Sequence, residues 1–296
     1  MKTPKNITEA VRQRILNQSR ADKRPFMELL QYYAMERFLY RLTQSSHAHS
    51  YVLKGALMLR AWKSPAFRPT MDIDMLGITG NDEANIVAQI RDILAIDTIP
   101  DGLTFDAERI HTERITEDAE YEGINVRFLG FLGTARISMQ IDIGFGDVVY
   151  PEPQKEELPC VLDFPATSLL CYSRESAVAE KFDAMIKHGS LNSRMKDFYD
   201  IWLLSRQFRF DLSALSEAIR LTFKQRGTEL EQPLIAFSAE FISSRQTIWA
   251  SFHKRLRQDH VPASFADIVS EVEMFLAPVI NDYSDEMIWL PAGPWS

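Results

Sequence analysis

Cysteine is nearly absent, with Cys160 and Cys171 the two in 296 residues. That excludes a disulfide-built secreted scaffold and fits a reduced intracellular chain, with both thiols read as small, partly buried side chains. No apolar run approaches the ~20 residues that a membrane-spanning helix needs. The opening stretch MKTPKNITEAVRQRIL lacks an apolar core ahead of a cleavage site, so a cytoplasmic protein without a secretory signal is expected. Positive charge is the minority: 33 Lys and Arg against 41 Asp and Glu leave a net charge of −8. That argues against a protein that coats nucleic acid unselectively. No P-loop, zinc-ligand spacing, Ser or Cys nucleophile motif or internal repeat occurs.

What is there is a globular balance, 46% hydrophobic and 25% charged, long enough for one large or two ordinary domains. Charge is distributed unevenly. Residues 1–24 hold seven Lys and Arg against two acids, and residues 97–122 hold nine acids against two Arg. The basic stretch is a local track for RNA or a solvated helix face.

The stretch Tyr51 to Leu76 organises the chain. Tyr51–Lys54 reads as a strand, Gly55 as a sharp turn, and Ala56–Trp62 as a helix. Unpaired amides at such a helix start favour an anion, here the phosphates of a nucleotide. Met71-Asp-Ile-Asp-Met75 then alternates apolar and acidic residues, and a period of two sets Asp72 and Asp74 on one strand face. Two close carboxylates repel each other unless a cation lies between them, and Mg²⁺ takes carboxylate oxygens while keeping positions open for phosphate. Ala135–Ile143 repeats the pattern: Ile137, Met139, Ile141 and Ile143 face one way, and Arg136, Ser138, Gln140 and Asp142 the other. Asp142 is therefore a third candidate ligand.

Before this stretch, helices are expected from Ile7 to Ser19 and from Phe26 to about Leu42, followed by a loop whose His47 and His49 are read as solvated. After it come a helix from Asn81 to Leu94, capped by Asn81, and strands at Leu103–Ile110, Ile124–Phe131 and Ala135–Ile143. Asp147 is read as a turn residue outside the site. Residues 151–172, with four prolines, read as a connecting segment. Helices are expected from there on, at Ser173–His188, Asn192–Leu204, Leu212–Lys224, Leu234–Phe252 and Phe265–Leu276, with a WLPAGPWS tail that docks by Trp289 or Trp295. On the helix after Asn192, Asp197 and Asp200 share a face, and Lys196 and Asp200 have the spacing of an i,i+4 pair. Lys181 borders the apolar stripe of the preceding helix.

Three strand carboxylates, a glycine turn and basic side chains from a helical half suit nucleotidyl transfer. Mg²⁺ on Asp72, Asp74 and Asp142 would stabilise the attacking and leaving oxygens. Lys181 would neutralise the triphosphate, and the metal or Asp200 would activate an acceptor hydroxyl.

Lys54-Gly-Ala56, Arg68-Pro-Thr-Met-Asp-Ile-Asp74, Gln140-Ile-Asp142, Ala179-Glu-Lys-Phe-Asp-Ala-Met185 and Ser193-Arg-Met-Lys-Asp-Phe-Tyr-Asp200 together resemble the AbiEii/AbiGii-type nucleotidyltransferase toxins. Thr222-Phe-Lys-Gln-Arg-Gly-Thr228 and Trp249 resemble their C-terminal half. The resemblance implies an α+β protein: a polymerase-β-like nucleotidyltransferase core, residues 1–168 with the N-terminal helices, then a helical domain, residues 169–296. It implies a toxin of a toxin–antitoxin or phage-defence module, Mg²⁺ or Mn²⁺ as cofactor, an NTP substrate, an RNA acceptor such as tRNA, and a cognate antitoxin. It maps the metal ligands onto Asp72, Asp74 and Asp142. Nucleotide contacts fall on Lys54, Gly55, Ala56, Arg68, Lys181, Lys196 and Asp197, and Lys181 and Asp200 join the three acids as catalytic residues. Ala56 departs from the pattern, which has Ser or Gly after the glycine. Transfer to a protein hydroxyl, and an NTP-binding protein without catalysis, stay open as alternatives.

Overall fold

The computed structural model describes residues 6–64, 68–118, 121–281, 283 and 286–296. The chain forms two compact units, Met1–Gly146 with Gln154–Cys171, and Asp147–Pro153 with Tyr172–Ser296.

The first unit begins with α1 (Ile7–Ala21) and α2 (Phe26–Gln44). Asn6 caps α1 by accepting the Glu9 amide at 3.1 Å, and Pro25 starts α2, where a missing N–H is harmless. Next come β1 (Tyr51–Lys54), a single 3₁₀ turn (Gly55–Leu57), the short α3 (Met58–Ala61), β2 (Ile73–Gly77) and α4 (Glu83–Leu94). The helix expected at Ala56–Trp62 is thus a 3₁₀ turn leading into one α-turn. The cap of α4 is Asp82, whose carboxylate accepts the Asn85 amide at 3.0 Å, one residue after the Asn81 expected for it. β3 (Leu103–Phe105), β4 (His111–Asp118), β5 (Tyr121–Leu132), β6 (Ala135–Phe145), β7 (Gln154–Leu158) and β8 (Thr167–Cys171) complete this unit.

Eight strands form one mixed sheet in the order β3-β5-β6-β2-β1-β8-β7, with β4 also paired to β5. β2 runs parallel to β6 and β1 parallel to β8; the other pairs are antiparallel. The strand expected over Leu103–Ile110 ends at Phe105, and a separate strand not expected from the sequence follows at His111–Asp118. Asp106 accepts the amides of Glu108 and Arg109 at 3.1 and 3.2 Å, and this local turn ends β3 and lets β4 begin at His111. The expected connecting segment at 151–172 contains β7 and β8. Its prolines at 151, 153, 159 and 165 all lie outside those two strands, where they bound them without removing a ladder donor.

Alternation decides which sheet face is buried. Leu53, Ile73, Met75, Ile137, Met139, Ile141, Ile143, Val126 and Phe128 are all buried, and α2 packs against β6 and β8. α2 is apolar around most of its circumference, yet its buried polar groups reach the backbone of surrounding loops. Tyr33 Oη donates to the Asp101 carbonyl at 2.7 Å, the Glu36 carboxylate accepts the Val161 amide at 2.6 Å, and Arg37 donates to the Pro165 carbonyl at 2.8 Å. Arg41 grips the Asp101 carboxylate through both terminal nitrogens, at 2.7 and 3.2 Å. His47 meets Asp92 at 3.1 Å on the surface.

The second unit is helical: α5 (Arg174–His188), α6 (Met195–Gln207), α7 (Leu212–Gln225), α8 (Ala239–Leu256) and α9 (Phe265–Ile280). Ser173 caps α5 by accepting the Ser176 amide at 3.0 Å, and Gly189 ends it with φ +46°. α6 starts at Met195, because the Asn192 side chain accepts the Arg194 amide at 2.8 Å in the turn before it. Residues 235–237 form a 3₁₀ turn, and α8 starts after Ser238, so the expected helix from Leu234 begins late. In the tail, Trp289 Nε1 donates to the Ser205 carbonyl at 2.6 Å and Trp295 Nε1 to the Phe275 carbonyl at 2.9 Å, so both tryptophans dock. β10 (Ile288–Trp289) pairs there with β9 (Phe210–Asp211).

The Arg41–Asp101 pair is 7% and 3% exposed, so removing one partner strands a buried charge. Asp101→Ala is expected to lower the unfolding free energy by about 3–5 kcal/mol, read from urea denaturation of the full chain.

Candidate active site

One row of residues crosses the sheet in register: Lys54 on β1, Asp74 on β2, Asp142 on β6, Asn125 on β5 and Glu113 on β4. Directly paired residues point to the same face, so the parallel β2–β6 register sets Asp74 beside Asp142. Asp72 precedes β2, in a bend, with its carboxylate on the same side. One oxygen from each of Asp72, Asp74 and Asp142 lies within 4.8 Å of the others, and all three residues are half-buried. This is the one such cluster among the described residues.

Asp72 and Asp142 accept hydrogen bonds from neutral side chains. The Thr70 hydroxyl donates to Asp72 Oδ1. Asn125 Nδ2 donates to Asp142 Oδ1, and Gln140 Nε2 lies 3.3 and 3.1 Å from the two Asp142 oxygens. These donors are neutral, so they orient the carboxylates without cancelling their charge. An all-oxygen, anionic donor set of this spacing fits a hard divalent cation and suits a soft metal poorly.

Gly55 is required by two independent constraints. Its φ is +72°, and a Cβ there would fall onto the Asp74 carboxylate. The 3₁₀ turn after it brings the backbone against the acidic row. Ala56 is buried, 4% exposed, so its methyl belongs to the core. Arg68 is half-buried, two residues before Thr70.

The remaining expected site residues lie in the second unit. Lys181 Nζ on α5 is 2.8 Å from Asp200 Oδ2 and 3.9 Å from Asp197 Oδ1 on α6. Arg194 Nε donates to Asp197 Oδ2 at 2.6 Å. The expected i,i+4 pairing of Lys196 with Asp200 gives way to this one, because Asp200 is buried and turned toward α5 whereas Lys196 is exposed. Asp147, expected to be a plain turn residue, accepts from Arg226 at 2.8 and 3.1 Å, and Arg226 also holds Asp183 at 3.0 Å and Glu180 at 3.2 Å. The structure thus brings together Lys54, Gly55, Asp72, Asp74 and Asp142 in one unit, and Lys181, Asp197 and Asp200 in the other.

Sequence reasoning missed Thr70 and Asn125. Thr70 extends the period-two pattern of Asp72 and Asp74 by one step, a signal that was available. Asn125 becomes a partner of Asp142 only through the β5–β6 register.

The family model described as "Nucleotidyl transferase AbiEii toxin, Type IV TA system" matches residues 37–274. The chain belongs to the AbiEii nucleotidyltransferase toxin family. It is accordingly a nucleotidyltransferase, and the family is one of toxins in type IV toxin–antitoxin systems, which implies a cognate antitoxin and a nucleotide substrate. The crystal structure of JHP933 from Helicobacter pylori is similar with a TM-score of 0.51 at 14% identity, over 86% of this chain and 94% of that one. That likeness supports the α+β fold. A second H. pylori structure, provisionally named a nucleotidyltransferase, gives a TM-score of 0.47 at 13% identity, over 87% and 98% of the two chains. No curated protein matches. No helix among the described residues of this AbiEii chain is long and apolar enough to cross a membrane.

A divalent cation held by the three acids would relieve their repulsion and bind the folded state selectively. At a hundredfold excess over its Kd it is expected to stabilise the wild type by about 2.7 kcal/mol. Asp142→Asn is expected to fold and to lose this cation-dependent rise in Tm, measured by thermal melts with and without Mg²⁺.

Proposed function

We propose that this enzyme is a cytoplasmic, Mg²⁺-dependent toxin that transfers NMP from an NTP to a hydroxyl of an RNA acceptor, with tRNA the favoured acceptor. The observation that carries this reading is the close carboxylate triad, with an oxygen of each acid within 4.8 Å of the others. Three carboxylates this close are the arrangement a phosphoryl-handling metal site needs. When bound, Mg²⁺ would polarise the α-phosphate and stabilise the attacking and leaving oxygens.

The chain's own residues have distinct proposed roles. Asp72, Asp74 and Asp142 hold the metal. The turn at Gly55 offers backbone amides to the phosphates, with Lys54 and Arg68 contributing positive charge. The acceptor oxygen attacks the α-phosphorus, the bond to the β-phosphate oxygen breaks, and pyrophosphate leaves. The family resemblance assigns Lys181 to the triphosphate and Asp200 to the proton of the acceptor hydroxyl, with Lys196 and Asp197 as further nucleotide contacts. Residues 1–168 are the proposed catalytic part and 169–296 the helical part.

Incorporation of each labelled NTP with Mg²⁺ into a total RNA and protein extract tests the reading. Label is expected in a tRNA-sized band for one NTP. Asp72→Ala is expected to abolish it, a drop of more than about 100-fold, with folding checked by circular dichroism. Label confined to protein would replace the RNA acceptor with a Ser, Thr or Tyr hydroxyl. No label from folded, NTP-binding protein would reject the proposed transfer.

A further inference from the structure

Asp74 and Asp142 are fixed by the sheet itself, since they pair directly across β2 and β6. Asp72 has no such support. The β2–β6 register begins at Ile73 opposite Ile141, and Asp72 lies in the bend before it. Its neighbour Met71 is 53% exposed and so does not anchor the bend by packing. A metal ligand on unpaired backbone needs another source of rigidity, because a displaced carboxylate loses most of its coordination energy.

α2 supplies that rigidity through two consecutive buried residues. Gln31 Nε2 donates to the Met71 carbonyl and to the Ser138 carbonyl, each at 3.0 Å, and so ties the bend to β6 just before Asp72. Tyr32 Oη accepts the Thr70 amide at 3.1 Å. Thr70 Oγ1 then donates to Asp72 Oδ1. Gln31, Tyr32 and Thr70 are 5%, 2% and 6% exposed, so these bonds compete little with water. The Tyr32 ring is in turn contacted by Arg24 and Arg60, whose guanidinium carbons lie 5.1 and 4.6 Å from its centroid. Burial raises the Tyr32 pKa and keeps it a phenol.

We propose that Thr70, fixed by Tyr32 and Gln31 of α2, is the positioning residue that presents Asp72 to a divalent cation. The proposal rests on the reading of the carboxylate triad as the metal site. A hydroxyl suits the role because it fixes one oxygen of Asp72 and leaves the charge and the second oxygen for the cation. A lysine or arginine in its place would neutralise the ligand. The β-branch of threonine restricts χ1 and keeps the donor aimed.

The test compares Thr70→Val, which keeps the branch and removes the donor, with Thr70→Ser, which keeps the donor. Mn²⁺ is the probe, titrated into the full chain without nucleotide and followed by the EPR signal of the free ion. Thr70→Val is expected to weaken Mn²⁺ binding by about 10–100-fold and to lower kcat for NMP transfer, with the Tm of the metal-free protein near that of the wild type. Thr70→Ser is expected to bind within about threefold of the wild type, which distinguishes donor loss from general loosening. Tyr32→Phe, with the Thr70 amide left unpaired, is expected to fall between them. Thr70→Val binding Mn²⁺ as tightly as the wild type would overturn the positioning role and leave the metal site intact. Mn²⁺ binding unaffected by Asp72→Asn or Asp142→Asn, or absent from the wild type, would overturn the metal-site reading and this proposal with it.

Discussion

Mutual repulsion of three carboxylates is the constraint around which the first unit is built. Oxygens of Asp72, Asp74 and Asp142 within 4.8 Å of one another raise the energy of the metal-free fold, and each is half-buried, where water screens less. The sheet holds two of them in direct register, so they cannot separate without breaking the β2–β6 ladder. The hydrogen bonds to Asp72 and Asp142 come from a threonine, an asparagine and a glutamine, and these fix position without neutralising charge. The second unit treats its buried acids in the opposite way. Asp197 and Asp200 are met by Arg194 and Lys181, and Asp147, Glu180 and Asp183 converge on Arg226. Those clusters join acids to basic side chains, whereas Asp72 and Asp142 accept from neutral donors.

Preserving that charge requires a rigid frame, and α2 provides it. A helix apolar on nearly all sides would be free to slide against a flat apolar sheet. Its buried polar residues oppose this through specific partners: Gln31 at the bend and β6, Tyr32 at Thr70, Tyr33 and Arg41 at Asp101, Glu36 at Val161, and Arg37 at Pro165. Burying polar groups costs free energy that partners offset, so the bonds these residues form favour this one arrangement. The same helix therefore secures the core and the approach to Asp72, and damage at Asp101 and damage at Thr70 have different consequences. The first affects the stability of the whole unit, and the second affects the position of a single carboxylate.

Much of this was legible in the chain. The strand–glycine turn, the alternation around Asp72 and Asp74, its repetition at Asp142 and the change to helical periodicity after residue 172 gave the α+β class and brought the acids together. Local chemistry was readable because period and turn residues act over a few positions. What was missed depends on contacts distant in sequence. β7 and β8 were hidden by prolines that flank the strands, and without their pairing partners two five-residue strands look like loop. Asn125 acquires meaning only opposite Asp142. Lys181 displaces Lys196 as the partner of Asp200 because burial turns Asp200 toward α5, a preference that i,i+4 spacing on one helix cannot express. Gln31 and Tyr32, inside an apolar helix forty residues before the bend, carried no signal of their role.

The Ala56 departure has a physical reading in these terms. A serine after the turn glycine would supply a hydroxyl to a phosphate, and Ala56 instead adds a buried methyl to the core. The geometry that does not depend on that hydroxyl is retained: Gly55 keeps φ +72°, and the absence of its Cβ lets the backbone approach Asp74. In the proposed reaction, phosphate affinity then comes from amides, from basic side chains such as Lys54 and Arg68, and from the cation, all of which act on charge and none of which reads the base. Such an enzyme would depend more steeply on the occupancy of the carboxylate site than one with a hydroxyl in the turn. The rigidity imposed on Asp72 by Thr70 is consistent with that dependence, because a site with fewer phosphate donors tolerates less disorder in its metal ligands.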